Sequence, residues 1–82
     1  MIPKYVVIDK YLTCGKNETI FIFPPWITHK DFCKAMAREG EKILSAGFVN
    51  LNTKQCYGKS TSLNIGSREI DDMYLKLLFK EV

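Results

Sequence analysis

The hexapeptide Cys56-Tyr57-Gly58-Lys59-Ser60-Thr61 ends in Gly-Lys-Ser-Thr, the closing residues of a phosphate-binding P-loop. That loop also needs a glycine five positions earlier, so that backbone amides can wrap a phosphate as the chain enters a helix. Thr53 occupies that position, turn residues precede the motif, and the following Ser62-Leu63-Asn64 reads as strand. The motif is therefore not a P-loop. Its side chains can still form a surface, because an aromatic (Tyr57) interleaved with Lys59 and, further on, Arg68 suits a backbone phosphate or an acidic protein. An edge strand guarded by lysine is the other reading. The candidate partner-binding residues are Tyr57, Lys59, Ser60, Thr61 and Arg68, joined by Trp26. That single tryptophan follows two prolines on a short loop, where it could anchor an interface or cap the core.

His29 and Cys33 stand four apart, a helical spacing that lets two ligands share a metal, and Cys14 with Cys56 would complete a zinc set. Structural zinc draws its ligands from close pairs, whereas Cys14 and Cys56 are solitary, so no metal is expected. His29 reads as an exposed residue in the first turn of a helix. Asp31, two positions on, points away from it and cannot orient it for thiol catalysis. With no carboxylate pair, serine elbow or nucleotide fingerprint, neither catalytic residues nor a cofactor are expected. Three cysteines leave one unpaired under any scheme, so free and mostly buried thiols are expected.

These residues must be positioned by a small set of elements. Lys4 to Leu12 is β-branched and aromatic, Cys14 to Asn17 is turn chemistry, and Glu18 to Phe23 returns as strand, which together make a hairpin. Pro24 and Pro25 stop it. Thr28 is a good N-cap with Asp31 three positions on, and the pattern predicts a helix over 28–39. Residues 42–51 and 55–64 form a second hairpin, its last strand unusually polar, and Ser67 caps a final helix.

In that helix Ile70, Met73, Tyr74, Leu77 and Leu78 form a regular amphipathic face, expected to pack on the sheet. Leu75, Phe79 and Val82 lie beside it, more apolar surface than one side of one sheet can cover. They are the expected interface of a homodimer. The fold class expected for residues 1–82, a single domain, is α+β. Its order is ββαββα, with an antiparallel four-stranded sheet and two helices packed on one face.

A chain of 82 residues, 46% apolar, is rich enough for a core and unlike a disordered segment. Its net charge of +3 is mixed along the chain and does not demand nucleic acid. It holds no apolar run long enough to span a bilayer and no export signal, so a cytoplasmic protein without a membrane partner is expected.

The run Ile43 to Asp72, with Ile27 to Cys33 upstream, resembles small proteins encoded by temperate phages and prophages. The shared pattern is Ile27-Thr28-His29, Ser45 to Phe48, Cys56 to Gly58, Ser60, Ser62-Leu63, Ser67-Arg68 and Asp71. The resemblance implies a phage origin, and a host bacterial cell as the place of action, but supplies no site residue. By analogy with the strategy of phage accessory proteins, the expected function is non-enzymatic binding and modulation of a host protein. A phage-encoded protein is the other candidate partner. The alternative is weak nucleic-acid binding through the basic polar strand.

Overall fold

The computed structural model describes residues 2–12 and 15–80, residues 11, 12, 15 and 16 by backbone alone. The strands β1 (Lys4–Leu12) and β2 (Gly15–Phe23) form the expected hairpin. They are followed by α1 (His29–Met36), β3 (Lys42–Asn50) and β4 (Gln55–Tyr57). A two-stranded ribbon, β5 (Lys59–Ser60) with β6 (Ile65–Gly66), precedes α2 (Ile70–Leu78). The main sheet is antiparallel and four-stranded, in the order β2-β1-β3-β4. The α+β class follows from the chain order as expected.

The placement of the helices does not. In β1 the run Tyr5-Val6-Val7-Ile8 is fully buried. Strand alternation sends Val6 and Ile8 to one face, where they pack with Phe23, Cys33 of α1 and Ala46. Tyr5 and Val7 go to the other, where they meet Val49 and Leu75 of α2. The helices therefore lie on opposite faces of the sheet, not on one. Four consecutive apolar residues in an inner strand need cover on both sides, as in sheets sandwiched between helices.

Two element boundaries also move, each for a tertiary reason. Thr28 caps α1 as expected, its hydroxyl accepting the Asp31 N–H at 3.1 Å. The helix stops at Met36 rather than at 39, because β1 reaches over to finish it. Lys10 Nζ donates to the Met36 carbonyl at 2.7 Å and to Glu41 Oε1 at 2.9 Å, and that same carboxylate takes the Arg38 N–H. The strand expected over 55–64 breaks at Gly58, whose φ of 75° is open to glycine and strained for other residues. A Cβ there would also meet the Phe48 ring at 3.0 Å. The chain turns out of the sheet, and the β5–β6 ribbon lays Leu63 and Ile65 on the α1 side of the core.

Ser67 does not cap α2. Its N–H donates to the Gly58 carbonyl at 3.0 Å, and the first turn is held instead by Asp71, whose Oδ2 accepts the Arg68 N–H at 3.0 Å.

Candidate functional site

The rotation of α2 about its own axis decides which residues face solvent. Asp71 and Leu75, four apart and so on one side of the helix, are both fully buried. Asp71 Oδ2 accepts the Tyr5 hydroxyl at 2.5 Å, and its Oδ1 accepts Arg68 Nε at 3.1 Å and Nη2 at 2.9 Å. Arg68 Nη2 also reaches Glu18 at 3.2 Å, tying the helix start to β2. A buried carboxylate needs this density of donors, so the helix must turn Asp71 inward, and Leu75 follows.

The consequence corrects two expectations at once. Leu75 belongs to the core and cannot form a dimer interface, while Val82 lies outside the described residues. Phe79 stays half exposed, with Lys54 Nζ 4.9 Å from its ring centroid. Of the face expected to pack on the sheet, only Tyr74 lies against the core, and Ile70, Met73, Leu77 and Leu78 point outward. Leu77 is 58% exposed and Met73 49%. Beside this stripe runs the free edge of β2, and between them lies a groove of about 360 Å³ lined by Glu18, Thr19, Ile20, Tyr74, Leu77 and Leu78.

The six expected partner-binding residues do not form one surface. Arg68 is spent on Asp71 and Glu18. Ser60 is 1% exposed, its hydroxyl bonded to Ser62 and to the Leu63 N–H. Trp26, 72% exposed, sits apart over Pro3, Pro24 and Pro25, so it does not cap the core. Tyr57 lies beside Phe48, their ring centroids 6.0 Å apart, and borders a depression formed by Ile2, Pro3 and Asn50 to Asn52.

Lys59, Ser60 and Thr61 do converge, on a cleft of about 250 Å³ shared with Lys4, Thr28 and Ser62. His29 lies at its base. Far from being exposed, the imidazole is buried edge-on between Phe23 and Phe48, and its Nε2–H donates to the Gly47 carbonyl at 2.9 Å. Burial holds its pKa below the usual histidine value, so it is neutral at pH 7. Sequence reasoning missed this role. The signal was Phe23 and Phe48 in strands on either side of the helix start, which offer an apolar slot to the residue after the cap.

Cys33 and Cys56 are free thiols, and Cys14 lies outside the described residues. Burial, with Asp71 and Asp72 beside it, pushes Cys56 up to about 12. Burial also raises Cys33, and burial with the Asp71 bond raises Tyr5. All three groups stay protonated in the fold, while the unfolded chain starts to release these protons above about pH 8.5. The folded state then binds more protons than the unfolded one, so stability is fully present below that pH and is lost as pH rises toward about 12. Urea midpoints measured from neutral to alkaline pH are expected to fall across this window. A flat midpoint would show that these groups are not held in their neutral forms.

The fold and surface define a small α+β domain whose sheet is covered on both faces and whose second helix carries an uncovered apolar stripe. Compared with family models, with curated proteins and with solved structures, the chain matches none. Among the described residues no helix is long and apolar enough to cross a membrane.

Proposed function

We propose that the protein is a non-enzymatic phage or prophage accessory protein that acts in the host cell by binding and modulating a host protein. The supporting observation is the stripe Ile70, Met73, Leu77 and Leu78, large apolar side chains left in solvent on one helix next to an open strand edge. Contiguous exposed apolar surface of this kind marks an interaction face, and burying such side chains in a partner is what gives an interface its affinity. The free β2 edge adds backbone donors and acceptors that a partner strand can pair. The same stripe, with half-exposed Phe79 beside it, takes the place of buried Leu75 in the face on which two copies would meet.

The test compares wild-type protein with a Met73→Glu, Leu77→Glu double variant, both tagged and captured from nuclease-treated bacterial lysate. Both positions are exposed, so folding is expected to be unchanged. Wild type is expected to retain a stoichiometric host protein, and the variant to lose it by more than about tenfold in affinity. A variant that holds the same protein equally well would remove α2 as the binding face. Light scattering on the purified chains separates the dimer: a wild-type dimer that becomes a monomer in the variant assigns the stripe to self-association. Arg68→Glu is unsuited to such a test, since it strips Asp71 of its ion pair and disturbs the fold itself.

A further inference from the structure

On the other side of the molecule, the hydrogen-bonding capacity around the cleft at Lys59 is unbalanced. Thr28 Oγ1 accepts the Asp31 N–H, and its own proton has no acceptor among the described residues. The Ser62 hydroxyl accepts the Lys30 N–H and the Ser60 hydroxyl accepts the Leu63 N–H. These two serines share one bond at 3.2 Å, which spends one of their two protons and leaves the other over. Thr61 and Lys59 have no side-chain partner among the described residues, and Lys4 Nζ uses one donor on the Ile27 carbonyl at 3.0 Å. Among the described residues no carboxylate lines the cleft. The Ile27 and Gly47 carbonyls serve Lys4 and His29.

A cleft with two ammonium groups, surplus hydroxyl protons and no neutralising acid among the described residues complements a ligand that is anionic and made of acceptors. We infer that this cleft is a binding site for a phosphoryl group. The donors approach from three separate segments, namely β1 (Lys4), the start of α1 (Thr28) and the β5–β6 ribbon (Lys59, Thr61, Ser62), which suits a tetrahedral oxyanion better than a planar carboxylate. The N-terminus of α1 opens beside them and adds its positive dipole end, although its Lys30 and Asp31 amides are already engaged. His29, buried and neutral, contributes shape at the base and no charge. The Gly-Lys-Ser-Thr residues thus meet a phosphate by a route unlike a P-loop: side chains of a ribbon, not amides of a loop, supply the donors.

The probe is inorganic phosphate, titrated at constant ionic strength into uniformly labelled protein, with chloride as the control. Saturable shifts are expected in the amide resonances of Thr28 to Lys30 and Lys59 to Leu63, absent with chloride. Lys59→Gln, an exposed position, is expected to weaken the binding about tenfold with the spectrum otherwise intact. Thr61→Val, which removes only a hydroxyl donor, is expected to weaken it less. Shifts that never saturate, that chloride reproduces, or that Lys59→Gln leaves unchanged would overturn the site. Competition by an oligothymidylate lacking terminal phosphates identifies the ligand as a nucleic-acid diester, and failure to compete identifies a free phosphate or monoester. Because α2 lies on the opposite face of the sheet, neither result bears on the apolar stripe.

Discussion

Asp71→Ala is expected to lower the folding free energy by about 3 kcal/mol or more, the range for removing one partner of a buried ion pair. The substitution takes from Tyr5 the carboxylate acceptor of its buried hydroxyl, and from Arg68 the acceptor of its N–H and its Nε and one of the two acceptors of its Nη2, which keeps Glu18. Arg68 is a third exposed and can turn to water, which keeps the loss toward the lower end of that range. Tyr5 is fully buried and cannot, so its desolvated hydroxyl loses the carboxylate and keeps only the Ser45 hydroxyl beside it. For a domain of 82 residues the whole stability is about 4–12 kcal/mol, so this one change brings the protein near its limit. Asp71→Asn retains an acceptor for Tyr5 but sets an amide against the guanidinium, with an expected loss of about 2 kcal/mol. Urea unfolding at neutral pH measures both, with the exposed Glu69→Ala as a reference within about 0.5 kcal/mol of wild type. A loss below about 1 kcal/mol for Asp71→Ala would show that the carboxylate does not lock the helix.

The same variant tests the link from packing to function. Without Asp71, the polar tie left to hold the rotation of α2 is Asp72, whose Oδ1 accepts the Cys56 N–H at 2.6 Å, and the better amphipathic face is freer to turn inward. Any of the alanine protein that remains folded is therefore expected to bind its partner less well, although Asp71 touches no partner.

Gly47→Ala is expected to cost about 3 kcal/mol, the upper end for overpacking a well-filled interior. A Cβ at this point of β3 would stand far inside van der Waals contact of the Tyr57 carbonyl oxygen, and 3.3 Å from both the Gly58 carbonyl and the Tyr5 ring. The nearest obstacle is backbone, not the flexible end of a side chain, so relief requires β4 to move away from β3. Moving it disturbs the pairing of Phe48 with Tyr57, and the Gly47 carbonyl is also the acceptor of His29. Loss of stability is therefore expected together with an altered environment for His29, readable as a shift of its titration toward the ordinary histidine value. An alanine variant as stable as wild type would mean that β4 is loosely held.

Most positions behind the phage-protein resemblance hold residues with structural work in this fold. Thr28 caps α1, His29 bonds to Gly47, Gly58 ends β4, and Arg68 with Asp71 sets the rotation of α2. The pattern is silent about a partner for a physical reason: these side chains mostly hold this fold together. The apolar stripe on α2 lies at other positions, among them Met73 and Leu77, and so do the two lysines of the cleft, Lys4 and Lys59.

What the chain order and residue types determined was local. The hairpin over β1 and β2, the cap at Thr28, the helix that follows it and the α+β class all rest on turn chemistry, strand periodicity and capping within about ten residues. What only the tertiary structure decided was the side each element presents. Periodicity marks apolar stripes but cannot rank two that overlap, and in α2 the richer stripe lost because one carboxylate found its donor on Tyr5, 66 residues away in sequence. The split of the polar strand at Gly58, the burial of His29 and the meeting of Lys59 with Lys4 have the same cause. Each depends on a contact between residues distant in the chain, and such contacts exist only once the sheet has formed.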